Sequence, residues 1–306
     1  MVIGGYEPKG VVAALGNFDG VHIGHQKLFE CVKDLAAEHG APSGAVVFDP
    51  HPRRFFRPDD PPFLLSQPDD RDCFIRECGL VHVFRLGFNR ELASMSPEAF
   101  VQDVLKQRLG LAGVVTGDEF RFGAGRAGDS DVLTKLCRQS GISYRAVTPI
   151  TAEMVDEKIG SSGVRDALKR GDVKAACQML ARPWQVTGQV EVGQRIGRTI
   201  GFPTANIRLG DVIHPRNGVY AVRVKIDGEA QYRQGVANFG RKPTLGDHAP
   251  LLETHILDFD GDLYDRRLEI AFIDFLRDER KFDGLDSLKA QITNDRDAAR
   301  QVLVEL

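Results

Sequence analysis

Gly16-Asn17-Phe18-Asp19-Gly20-Val21-His22-Ile23-Gly24-His25 is the stretch whose reading decides the fold. An apolar run at residues 11–15 precedes it and predicts a buried strand. Residues 26–39 follow, with Leu28, Val32, Leu35 and Ala36 at helical spacing. The order is therefore strand, glycine-rich turn, helix start. Glycine lets the backbone turn tightly and approach a ligand closely. A helix N-terminus offers N–H groups and the positive end of a dipole to an anion. Two imidazoles three residues apart add donors at the same place. The assembly suits a nucleoside triphosphate whose phosphates must be gripped while one bond breaks. It is neither the Lys-Ser/Thr phosphate loop nor the dinucleotide Gly-x-Gly-x-x-Gly pattern.

Working outward, residues 45–49 form a second apolar run that enters Pro50-His51-Pro52-Arg53-Arg54, a rigid loop at a strand end. Residues 58–68 are rich in proline and aspartate and predict an exposed loop. Further strands are expected at 80–86 and 113–116, and helices at 97–109 and 131–141. Strands alternating with helices predict a Rossmann-like, doubly wound parallel sheet, with ligand loops at the carboxyl ends of the strands. The loop at 117–128 carries Glu119, Arg121 and Phe122. Ser161, Ser162 and Arg165 open another helix, where the hydroxyls read as N-caps and the guanidinium as a phosphate fork.

Beyond Trp184 the helical periods give way to short strands and turns, expected at 184–192, 219–226, 232–238, 252–259 and 268–275. A closing helix follows at 285–306. That predicts a small antiparallel β-barrel and two domains, 1–182 and 183–306. The barrel half carries Gly197-Arg198-Thr199-Ile200-Gly201-Phe202-Pro203-Thr204-Ala205-Asn206. Thr204 and Asn206 can share a face of an extended segment and offer hard oxygen ligands suited to magnesium. Glu253 lies in an apolar strand, where a carboxylate is costly unless it has work. One reading is a base that takes a proton from an alcohol attacking a γ-phosphate; the other is a residue facing solvent.

The bulk numbers narrow the classes. Lys plus Arg number 40 against 43 Asp plus Glu, a net charge of −3 that gives no general attraction to nucleic acid or anionic membrane. No apolar run approaches membrane-spanning length, and residues 1–6 lack the pattern of an export signal. The five cysteines are scattered without a Cys-x-x-Cys pair, which argues against zinc and for a cytoplasmic location. Oligomeric state is not legible beyond a monomer or transient homo-oligomer.

The first stretch resembles the signature of the HxGH nucleotidyltransferase superfamily. Gly197-x-x-x-Gly201-Phe202-Pro203-Thr204-Ala205-Asn206 resembles the riboflavin kinase signature. It is followed in that family's order by Asn238-Phe239-Gly240, Glu253-Thr254-His255 and Leu276-Arg277-Asp278-Glu279. From about residue 10 the chain is similar to the bifunctional riboflavin kinase/FMN adenylyltransferases, the FAD synthetases.

The resemblance implies transfer of the γ-phosphate of ATP, with Mg2+, to riboflavin, and then adenylylation of FMN to FAD by a second ATP. ATP, riboflavin, FMN and FAD would be its partners. By matching positions, Glu253, His22 and His25 are catalytic. Gly16, Asn17, Phe18, Asp19, Gly24, Ser161, Ser162, Arg165, Gly197, Arg198, Gly201 and Pro203 bind ATP and its phosphates. Phe48, Pro50, His51, Glu119, Arg121, Phe122, Asn238 and Arg277 bind flavin, and Thr204 and Asn206 hold the metal. The chain departs from the family pattern at Gly160, Glu119, Lys242 and Asp265. Those departures leave open a riboflavin kinase with a weakened first domain, or a flavin- or nucleotide-binding module without catalysis.

Overall fold

A computed structural model describes residues 9–148, 159–192, 201–240 and 250–304. They fall into two compact units, one drawn from residues 1–60 and 68–159 and the other from 61–67 and 160–306. Gly197 and Arg198, and the motif residues 241–244, lie outside the described residues.

The first unit is a five-stranded parallel sheet. Its strands are β1 (Val12–Leu15), β2 (Ser43–Asp49), β3 (His82–Gly87), β4 (Gly113–Gly117) and β5 (Ser143–Val147), in the order β3-β2-β1-β4-β5. Side chains alternate between faces along a strand. Val12 and Ala14 enter one core with Leu28, Phe29 and Val32 of helix α1 (Ile23–Glu38). Val11, Ala13 and Leu15 enter the other with Val104 and Leu105. Burial on both faces is why the strands read as continuous apolar runs. The order reverses between β1 and β4, the place where ligands gather in such sheets.

Short helices α2 (Pro52–Phe56), α3 (Pro68–Glu77), α4 (Arg90–Ser94) and α5 (Pro97–Ala99) follow, and α5 runs on into a π-helical segment, Phe100–Arg108. Helix α6 (Ser130–Gln139) buries Leu133 and Cys137.

The second unit is an antiparallel sheet of β6 (Trp184–Gln189), β7 (Ala205–Ile207), β8 (Gly218–Ile226), β9 (Arg233–Gly240), β10 (Leu251–Ile256) and β11 (Arg267–Arg277). Its order is β6-β11-β8-β9-β10-β7. A bridge between Glu191, just past β6, and Asn206 of β7 joins the two edges, so the sheet curls closed as the expected barrel. Helices α7 (Ser161–Arg170) and α8 (Val173–Leu180) share the barrel's core through Val164, Leu168, Met179 and Leu180. Helix α9 (Leu285–Val304) packs Ala299 and Leu303 against Ala221 on the outside.

Two expectations are corrected. Residues 58–68 are not simply an exposed loop, because Phe63, Leu65 and Ser66 are buried. The segment 61–67 belongs to the barrel unit: Leu64 bridges Val212, the Trp184 indole donates to Leu65 O at 2.9 Å, and Gln67 donates to Thr187 O at 2.9 Å. The serines that open α7 do not cap it. Gly160 is the N-cap, with no side-chain cap bond, and Ser161 and Ser162 occupy the first helical positions.

A testable consequence concerns stability. Helices α7 and α8 bring several fully buried aliphatic side chains to the barrel core, and each is worth roughly 1.5–3 kcal/mol. A fragment starting at Gly160 is expected to unfold at a distinctly higher urea midpoint than one starting at Pro183. Equal midpoints would mean that the two helices contribute nothing to the barrel.

Candidate functional sites

In the first unit β1 delivers the chain to Gly16, whose N–H donates to Val46 O at 3.2 Å. Phe18, Gly20 and Val21 then take positive φ values of 51°, 80° and 46°. That region is unfavourable for a β-branched residue such as Val21, and strain of this kind persists only where the surrounding structure holds it. His22 sits extended at the N-cap of α1 and makes no side-chain cap bond. Its carbonyl instead accepts from the backbone of His25 at 2.8 Å and Gln26 at 3.1 Å.

The turn stacks the two imidazoles, with centroids 3.6 Å apart and planes 22° apart, while the Phe18 ring presents its edge to His25 at 5.2 Å. Gly24 leaves room for this stack: a Cβ there would lie 3.1 Å from His22 Cε1 and Nδ1, tight enough to push the ring. Burial first, and then the neighbouring His22, hold His25 well below the ordinary histidine value. Asn17 Oδ1 and His25 Nδ1 are buried with no hydrogen-bond partner among the described residues. Asp19 is buried beside them in sequence.

The next strand end carries the expected flavin loop. Phe48 is the next-to-last residue of β2, Pro50 follows a cis peptide bond, and His51 Nδ1 accepts from the Arg53 N–H at 3.1 Å, capping α2. Phe48 meets Phe88 edge to face at 5.7 Å, and Phe55 and Phe56 meet the same Phe88 ring at 5.3 and 5.8 Å. Phe56 is 64% exposed, so the aromatic cluster opens to solvent. The sequence reading missed Phe55, Phe56 and Phe88. The adjacent phenylalanines after Arg54 were the available signal, but only the fold shows that they share a ring.

Past β4, Glu119 is exposed and Arg121 pairs loosely with Asp129 at 3.7 Å. Phe122 is buried, stacked with Phe120 and tilted against Phe100, so it faces the core side of this loop.

In the second unit three strands place three polar residues in one row. Glu253 of β10 pairs with Asn206 of β7 on one side and with Asn238 of β9 on the other. Directly opposed residues point to the same face, so the carboxylate stands between two amides. Asn206 is buried, and its Oδ1 has no hydrogen-bond partner among the described residues. Thr204 is exposed one residue before β7. Its loop, with Gly201 at φ 88°, is pinned where His255 Nδ1 donates to Pro203 O at 2.8 Å. Arg277, at the end of β11, is held bidentate by Asp295 of α9.

Arg165 and the two serines lie on α7. Arg165 Nε donates to Phe63 O at 2.7 Å, and its guanidinium lies over the Phe63 ring. No three His, Cys, Asp or Glu side chains among the described residues converge as a metal cage. None of the described helices is long and apolar enough to cross a membrane.

Comparison with known proteins matches both halves. A FAD synthetase family model covers residues 6–163, and a riboflavin kinase model covers 180–303. The bifunctional riboflavin kinase/FMN adenylyltransferase of Pseudomonas fluorescens is 42% identical over 96% of this chain and 93% of its own length. Its namesakes are 36% identical in Escherichia coli K12, over 96% and 93%, and 36% identical in Bacillus subtilis, over 94% and 91%. Among solved structures, one titled a macrolide-efflux protein from Streptococcus pneumoniae superposes with a TM-score of 0.84 at 29% identity, over 96% of this chain and 94% of that one. The stacked-histidine turn of one unit and the amide–carboxylate–amide row of the other thus stand in one chain with relatives along nearly its whole length: it belongs to the bifunctional riboflavin kinase/FMN adenylyltransferase family.

Proposed function

We infer that the chain converts riboflavin to FMN and FMN to FAD, spending one ATP in each step. The observation that carries this reading is that each site holds buried polar atoms with no partner among the described residues. They are Asn17 Oδ1 and His25 Nδ1 in one and Asn206 Oδ1 in the other. Buried polar atoms in native proteins are nearly always satisfied, so such atoms mark places where a ligand completes the set.

In the barrel unit Glu253 takes the proton of the riboflavin 5′-hydroxyl. The oxygen attacks the γ-phosphorus of ATP, the bridging P–O bond to the β-phosphate breaks, and ADP leaves. Asn206 and Thr204 are the residues that would hold Mg2+. The orphaned Asn206 oxygen fits a hard cation that takes few protein ligands and the rest from phosphate and water. Bound there, the ion would neutralise charge on the phosphate oxygens.

In the parallel-sheet unit a phosphate oxygen of FMN attacks the α-phosphorus of a second ATP, the α–β bridging bond breaks, and pyrophosphate leaves. His22, His25 and the first turn of α1 offer donors to the reacting phosphates. Phe48 and the aromatic cluster around Phe88 offer a wall for the flavin ring. No covalent enzyme intermediate is needed, so catalysis rests on positioning and electrostatics. Ser161, Ser162 and Arg165 are proposed as further phosphate contacts on their sequence pattern alone.

The test is a product analysis. Purified protein is incubated with riboflavin, ATP and magnesium, and the flavins are separated by chromatography. FAD is the expected product. A reaction that stops at FMN would remove the adenylyltransferase assignment, and unchanged riboflavin would remove both.

A further inference from the structure

The barrel site has a second carboxylate that the row of three does not include. At the end of β11, Arg277 lies opposite Val219 of β8. Asp295 of α9 grips it with Nε–Oδ1 and Nη2–Oδ2 distances of 2.7 and 2.6 Å, and Gln291 donates to the same Oδ1 at 2.8 Å. Both partners are largely buried, at 14% and 6% side-chain exposure, and Arg277 Nη1 donates to Asp278 O at 2.9 Å. A guanidinium committed on three nitrogens is an anchor for the strand end rather than a mobile ligand contact.

Two residues beyond it, Glu279 folds over β9. A Cβ built on Gly240 would lie 2.0 Å from Glu279 Oε1 and 2.7 Å from Oε2, so the carboxylate rests on bare backbone that only glycine leaves open. Asn238, two residues earlier on the same face of that strand, is placed for its amide to donate toward this carboxylate. Asn238 is in turn the residue paired with Glu253. Burial first pushes the Glu279 carboxyl upward, the charge of Glu253 adds to this, and Asn238 and Arg277 oppose it.

We propose that Glu279 is a positioning residue of the phosphoryl-acceptor site, fixing the Asn238 amide in one orientation beside Glu253. An ionised carboxylate only accepts hydrogen bonds, so Asn238 must turn its NH2 toward Glu279. That leaves the amide oxygen for a hydroxyl donor of the substrate. Without Glu279 the two ends of the amide are equivalent to their surroundings, and the wrong orientation presents a donor where the alcohol needs an acceptor. The proposal rests on the kinase reading of this site and adds a residue to it.

The experiment measures phosphorylation kinetics of the full chain carrying Glu279→Ala, the isosteric Glu279→Gln, Gly240→Ala, or the Glu279→Ala/Gly240→Ala pair. FMN adenylylation and urea unfolding are followed in each. Both glutamate variants are expected to raise the KM for riboflavin about 10-fold, the scale of one hydrogen bond to a charged group, with the KM for ATP unchanged. Gly240→Ala should reproduce the effect by displacing the carboxylate. The pair should be no worse than the stronger single variant, since both remove one interaction. Riboflavin KM values like wild type in Glu279→Ala and Glu279→Gln, or fully additive losses in the pair, would overturn the positioning role alone. A wild-type chain that leaves riboflavin unphosphorylated would overturn the kinase reading and this one with it.

Discussion

Glu253→Gln is expected to lower the kcat of riboflavin phosphorylation by about 10³-fold, within the 10²–10⁴ range of a positioned general base. FAD formation from supplied FMN should stay at the wild-type rate. The substitution keeps the shape of the side chain and its place in β10 between Asn206 and Asn238, and removes only its capacity to take a proton. The riboflavin KM should therefore change little, because nothing that holds the flavin has moved. The opposing physical case is that phosphoryl transfer passes through a loose transition state, in which the attacking hydroxyl keeps its proton until late. A variant within a few-fold of wild type would select that case, and Glu253 would then orient the alcohol rather than deprotonate it. Glu253→Ala separates the two, since an orienting role is lost on truncation even where a base is not needed.

How far the sequence reveals this site depends on what each feature needs. The turn from Gly16 to His25 was legible because its strand, its glycines and its helix are neighbours in the chain, and local pattern carries all three. The barrel strands were legible through their spacing, although β7 is only Ala205–Ile207, too short for alternation to show. Strand β5 was missed. Ser143-Tyr144-Arg145-Ala146-Val147 is an edge strand with no fully buried residue, so it lacks the apolar run that marked β1 and β2.

Helix α3 was missed as well. Its buried positions include Asp70, Arg71 and Asp72, and polar residues inside a core defeat a reading based on hydrophobic period. Arg71 and Arg85 share Asp72 there, with Arg85 at 2.6 Å. The stretch 58–68 looked like a loop because proline and aspartate make up most of it. Phe63, Leu64 and Leu65 are the exceptions: Phe63 is buried beneath Arg165, and Leu65 joins a core that lies far off in sequence. The row of Asn206, Glu253 and Asn238 depends on the register of three strands, which a list of motifs names but does not align. Glu279 shows the same limit: its motif was visible, but its place over Gly240 is a property of the barrel.

His25→Gln should reduce FAD formation from FMN by about 10²–10³-fold, the effect of removing one preorganised donor from a reacting anion, while riboflavin phosphorylation stays intact. The same variant carries a stability signature with a definite sign. Burial and His22 keep His25 neutral in the folded chain well below the ordinary value of 6.5. The unfolded chain takes up that proton as pH falls through about 6.5. Over the window from there down to the depressed folded value, the unfolded state binds more protons, so stability must fall on acidification. Wild type should lose urea resistance between pH 7.5 and the lower end of that window, and His25→Gln should lose less. A parallel loss in the two proteins would mean that His25 is not the group held neutral. Binding the ATP triphosphate reverses the balance, because its charge favours the imidazolium that burial and His22 oppose. Nucleotide binding near pH 6.5 should then draw a proton from solution, seen as a buffer-dependent heat in calorimetry and reduced in His25→Gln. A buffer-independent heat would place the triphosphate away from the stacked imidazoles, and the loss of FAD formation in His25→Gln would then need a cause other than charge on the phosphates.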